Sequence, residues 1–145
     1  MMIHNNHYVV MFFIMIISGL LTTMNVFVDK RDDIRLSIND IYMTLLMTGW
    51  MFLLMGFWYK EFSILVIGLI LIVINLFCIR TQFMVSTNQY ITGMIPHHSM
   101  AIHMSKKLIE NEGKSHVKDF VNNIINTQEE EIKFMKKNEN GYIKL

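Results

Sequence analysis

Charge, cysteine and proline are all scarce in this chain. Only 17% of its 145 residues are Asp, Glu, Lys or Arg, against about a quarter in ordinary soluble domains. The net charge of +1 leaves no basic surface of the kind a nucleic-acid partner needs. The one cysteine, Cys78, excludes an intrachain disulfide, and its place in an apolar run reads as small apolar packing rather than a metal ligand. Residues 1–7 hold no Lys or Arg, and no A-x-A-like site follows the apolar run of residues 8–28, so a cleaved signal peptide is not expected. There is no internal repeat, no low-complexity tract and no nucleotide-binding glycine loop.

Apolar residues are abundant. They make up 52% of the chain, and the mean hydropathy is +0.35. Three runs are each long enough to cross about 30 Å of hydrocarbon as a helix: residues 8–28, 41–59 and 62–79. The last two are joined by Lys60-Glu61 and read as a tight antiparallel hairpin. Trp58 and Tyr59 close the second run, where an interfacial position suits them. The mixed-charge stretch Asp29 to Arg35 reads as an interfacial connector, and Asn39 or Asp40 as a cap for the second helix. Met43, Met47, Met51 and Met55 recur every four residues, so they lie on one stripe of that helix. The stripe reads either as packing or as a thioether ladder for Cu(I), and packing is favoured because no His or charged residue joins it.

From Thr81 the composition turns polar. Residues 87–111 and 115–137 carry helical periodicity. Ser86 and Gln89 form a capping box, Gly113 is a stop, and Ser115 is a second cap. The single proline, Pro96, removes one backbone bond within the first of these helices, so a kink is expected there. The fold class is therefore all-α: a membrane domain over 1–80, then a helical hairpin over 81–145. A seam at Tyr90, Met94, His97, Ala101, Met104 and Leu108 is expected to face one at Val117, Val121, Ile124, Gln128, Glu131 and Met135. On that register Met94, His97, His98, Gln128, Glu131 and Met135 meet in one layer. Imidazole with thioether favours copper, Cu(I) above all. A hydrogen-bonded polar layer in which His97 pairs with Glu131, with Met as filler, is equally compatible with the spacing. His103, Met100 and His116 read as surface residues. His4 and His7 with Met1 and Met2 read as a loose terminus.

Met94-Ile95-Pro96-His97-His98, then Ala101 and Met104, followed by Gln128, Glu131-Ile132 and Met135, resembles a known family. It is the ferritin-like copper metallochaperone family first catalogued as a domain of unknown function. Its pattern reads M-x-P-H-H, A-x-x-M, then Q-x-x-E-I-x-x-M, and several members carry membrane helices ahead of the domain. The resemblance spans about residues 88–135, and Thr87 departs from it where many members are acidic. It implies a ferritin-like bundle and copper held by Met94, His97, His98, Met104, Gln128, Glu131 and Met135. With one hairpin per chain, a homodimer is expected to complete a four-helix bundle.

The expected function is a membrane-anchored copper-binding protein, not an enzyme, that buffers Cu(I) or exchanges it with a donor or acceptor protein. The alternatives are a structural membrane protein with a polar core layer, and a ferritin-like redox enzyme. The second lacks the Glu-x-x-His pairs such chemistry uses. Lys30, Arg31, Arg35 and Arg80 on one side against Lys60 on the other place the C-terminal hairpin on the cytoplasmic side, or its equivalent.

Overall fold

The computed structural model describes residues 2–112 and 117–139. Five helices follow in order: α1 (Met2–Leu21), α2 (Ile38–Trp58), α3 (Phe62–Thr81), α4 (Thr87–Glu112) and α5 (Lys118–Asn138), with 3₁₀ turns at Met24–Phe27 and Arg31–Asp33. No strand occurs among the described residues. The expected caps at Gly113 and Ser115, and His116, lie outside them, as do the side chains of Met1, Met2 and His4. The chain divides into two compact units, one of residues 1–23 and 38–84, the other of residues 24–37 and 85–145.

The first unit holds three helices long and apolar enough to cross a membrane. Within it α2 and α3 approach closely because glycine lines the contact. A carbon added at Gly68 would lie 2.8 Å from the Gly49 carbonyl oxygen, and one at Gly56 would lie 2.7 Å from the Leu65 Cα. The turn between these helices is short because Lys60 takes a left-handed conformation, φ 57°. That lets the Glu61 N–H donate back to the Gly56 carbonyl at 2.9 Å, closing the last turn of α2. Two buried polar side chains donate within their own helices. The Thr48 hydroxyl donates to the Thr44 carbonyl at 2.9 Å, and the Asn75 amide to the Leu71 carbonyl at 2.8 Å.

The methionine stripe of α2 lies off this contact face. Met43 and Met47 are exposed, Met51 and Met55 half-buried, while Thr44, Thr48, Gly49, Phe52 and Gly56 are buried. The Met47 methyl lies 3.0 Å from where a Gly19 side chain would begin, so it packs on α1. Asn39 and Asp40 fall inside the first turn of α2 rather than ahead of it. The buried Asp40 carboxylate suits that end of the helix dipole.

Helix α1 begins before the apolar run and stops at Leu21, short of the Val28 expected from composition. Residues 24–27 instead form a 3₁₀ turn that belongs to the second unit. The connector Asp29 to Arg35 joins the same unit. Residues 24–37 form a strap across the α4–α5 hairpin. The strap is folded on itself by Asn25, whose side chain donates to the Arg35 carbonyl at 2.5 Å and accepts the Arg35 N–H at 3.0 Å.

Helix α4 starts where the sequence implies, with the Gln89 N–H donating to Ser86 Oγ at 3.3 Å. It continues through the buried Pro96 to Glu112. The core between α4 and α5 is Ile91, Ile95, Ile102, Ile132 and Met135, with Met94 and Ile125 packed against it. The seam is thus shifted by one residue on α4, to 91, 95, 98 and 102. On α5 it runs 121, 125, 128, 132 and 135, taking Ile125 and Ile132 in place of Ile124 and Glu131. The shift has a simple cause: an isoleucine stripe loses more by exposure than a stripe of Met, His and Ala. Its consequence is that His97 is exposed, and Met104 is 57% exposed.

Candidate metal-binding groove

The i, i+4 rows of two antiparallel helices build this site. Tyr90, Met94 and His98 succeed one another on α4, and Thr127, Glu131 and Met135 on α5. With Glu130 and Phe134 they line an open groove of about 500 Å³. Four of the seven expected donors therefore come together: Met94, His98, Glu131 and Met135. His97 lies outside, its ring centre 6.0 Å from that of His98. Met104 lines a separate, apolar groove with Leu108, Phe120, Val121 and Ile124. Gln128 is half-buried on the seam and lines neither groove.

His98 is the best-defined member. Its Nδ1 stands 3.0 Å from Glu131 Oε2. Nδ1 is buried and faces that carboxylate, at an angle too poor for a well-formed hydrogen bond. Burial pushes the imidazole below its ordinary pKa of 6.5. The Glu131 carboxylate pulls the other way, and His97 adds to the lowering. A neutral imidazole at pH 7 is the form that binds metal. Met135 is buried at 8% exposure and Met94 half-buried, so both thioethers sit at the margin of the core.

The groove offers two thioethers and one imidazole, which suit a soft monovalent ion, and the Glu130 and Glu131 carboxylates, which are hard donors. Among the described residues no three His, Cys, Asp or Glu side chains gather as a metal cluster. The Met94 and Met135 thioethers and the His98 imidazole are the members of the groove that fit Cu(I).

On the other side of the hairpin lies a polar node that the sequence did not disclose. Asp33, 2% exposed, accepts a hydrogen bond from the fully buried Ser99 hydroxyl at 2.6 Å, and its second oxygen is 2.7 Å from Lys136 Nζ. Ser99 Oγ in turn accepts the Asp29 N–H at 2.9 Å. Lys136 also pairs with Asp32. Burial alone would lower the Lys136 pKa, but the hydrogen bonds to Asp32 and Asp33 outweigh it and raise it. Arg35 closes the far end of the strap on Glu139 at 2.5 Å and holds that carboxyl below its usual range.

Fold and site together define, among the described residues, an all-helical protein: three helices of membrane-spanning length and a C-terminal helical hairpin with a groove lined by methionine, histidine and glutamate. Residues 81–138, which include the whole groove, match the model of a family described as Domain of unknown function (DUF305). The chain belongs to the same family as "Uncharacterized protein L153" of Acanthamoeba polyphaga mimivirus. The two are 40% identical over 124 residues, which cover 82% of each. No solved structure matches the chain.

Proposed function

We propose that the protein is a membrane-anchored copper-binding protein that holds Cu(I) in the α4–α5 groove and buffers it or passes it to a partner. One observation carries this reading: Met94, His98, Glu131 and Met135, from two helices, converge on a single groove, where burial pushes the His98 imidazole toward its neutral form. His97, Met104 and Gln128 stand away from it, so the donor set proposed is narrower than the family resemblance implies. His97, exposed and next to His98 in sequence, is a candidate for exchange with a partner.

The three apolar helices are proposed to insert in a bilayer, with the hairpin on the cytoplasmic side, or its equivalent, by the Lys and Arg distribution. A second copy is proposed to complete a four-helix bundle. Tyr90, Met104, Phe120 and Phe134 leave apolar surface on the hairpin that such a copy would cover. No catalytic role is proposed.

The test is metal analysis of full-length protein purified anaerobically with Cu(I). Wild type is expected to retain copper, His98→Ala to lose it, and His97→Ala to keep most of it. Equal copper in wild type and His98→Ala would end this reading. The 3.0 Å approach of Glu131 to His98 supports a second reading, a polar layer that only packs the hairpin. On that reading Cu(I) would leave the melting temperature unchanged.

A further inference from the structure

The strap and the groove meet the same helices at the same height. Ser99 follows His98 on α4, and Lys136 follows Met135 on α5. A step of one residue is a rise of only about 1.5 Å along a helix. The strap therefore grips each helix beside a proposed donor, from the side opposite the groove. Asp33 joins them, with one oxygen 2.6 Å from Ser99 Oγ and the other 2.7 Å from Lys136 Nζ. A second link runs from Asp29 through Lys106, at 2.7 Å, to Glu129 at 3.7 Å, again tying α4 to α5. A cleft of only about 100 Å³ remains between strap and hairpin, floored by Ile102 and Ile132.

A buried carboxylate is an expensive way to hold two helices together. Ion pairs of this kind are matched or bettered by apolar residues of similar volume, and the seam nearby is already isoleucine. What the carboxylate adds is direction. It fixes one distance to α4 and one to α5, whereas an apolar contact tolerates sliding.

We infer that Asp33 is a positioning residue for the groove: bound to both Ser99 and Lys136, it sets the separation at which α4 and α5 present His98 and Met135. The inference rests on the copper reading for its consequence, a tuned Cu(I) affinity, but not for its geometry. Asp33→Ala and Ser99→Ala each release one helix from the strap. Asp33→Asn keeps an acceptor for Ser99 and loses the charge that holds Lys136.

Two measurements on the full-length protein test it. The first is the distance between spin labels at Asn88→Cys and Lys137→Cys, in a Cys78→Ser background without metal. The second is Cu(I) affinity by competition with a chromophoric chelator. Asp33→Ala and Ser99→Ala are expected to broaden the distance distribution and weaken Cu(I) by about tenfold or more, the size of effect seen for groups that orient a ligand. Asp33→Asn should fall between them and wild type, and a Lys107→Gln/Glu110→Gln control should match wild type. Far-UV circular dichroism identifies any alanine variant that fails to fold, and Asp33→Asn then decides the outcome. Unchanged distances in the folded variants would overturn the inference, as would broadened distances with unchanged Cu(I) affinity. If wild type binds no copper, the copper reading fails by itself and the distance measurement alone decides whether Asp33 positions the helices.

Discussion

Replacing Met94 and Met135 together by leucine separates a metal site from a packing layer, because the exchange removes sulfur and almost nothing else. Met135 is 8% exposed and packs in the core with Ile91, Ile95, Ile102 and Ile132. Leucine fills nearly the same volume, and such swaps cost less than about 1.5 kcal/mol. The hairpin should therefore keep its helicity and lose only a few degrees of melting temperature. The metal consequence is of another order. Loss of a group that merely orients a ligand weakens binding by about 10–100-fold. Loss of two direct donors should reach at least the upper figure, or about 2.8 kcal/mol at 1.4 per tenfold. The assay is anaerobic titration of full-length protein in detergent against a chromophoric Cu(I) chelator, with circular dichroism melts on the same samples. Carboxylate and imidazole remain, so any weak Zn(II) binding should be little affected, which makes zinc the internal control. A double variant that melts like wild type and also binds Cu(I) as tightly as wild type would refute thioether ligation, and would leave the two methionines as core filler.

The remaining predictions are shorter. His98 has a folded pKa depressed below 6.5, so between that value and 6.5 the unfolded chain binds the extra proton and stability rises with pH. Its contribution is complete above 6.5 and is lost as pH falls through the depressed value. Urea midpoints of wild type should therefore drop more between pH 7.5 and 5 than those of His98→Gln, and parallel slopes would count against a buried neutral imidazole. In the first unit, Gly68→Ala places a carbon 2.8 Å from the Gly49 carbonyl oxygen and against the Leu53 backbone. That should part α2 from α3 at a cost of about 1–3 kcal/mol, read as a lower denaturant midpoint in mixed micelles. Gly56→Ala should do the same. The double variant should cost less than the sum, because helices already parted leave room for the second methyl.

The number and order of the helices were legible because hydropathy and periodicity act locally. The lengths of α2 and α3, the Lys60 turn and the Ser86 cap all follow from neighbours in sequence. Where α1 stops did not follow, because Met24 to Phe27 is apolar enough to prolong a span. Those residues leave the helix to join another unit. The strap was hidden for a related reason. Alternating charges at Asp29 to Arg35 look solvated until their partners are known, and Ser99 lies 66 positions from the carboxylate it bonds. Nothing within a few residues of Ser99 says that it will be fully buried.

The one-residue shift of the seam decides which donors can act together. Successive residues on a helix differ by about 100° in direction, so seating one of two adjacent histidines at the seam turns the other well away from it. Once Ile91, Ile95 and Ile102 claim the core, His98 is carried to its edge and His97 turns outward. The two rings then differ in chemistry as well as direction. His98 is desolvated enough to be neutral, and Met94 and Met135 stand beside it, whereas His97 stays in water. A pair of histidines that looks like two equal ligands in the sequence becomes one held inside and one exposed. Under the copper reading proposed above, that division would suit an ion which has to be both kept and handed on.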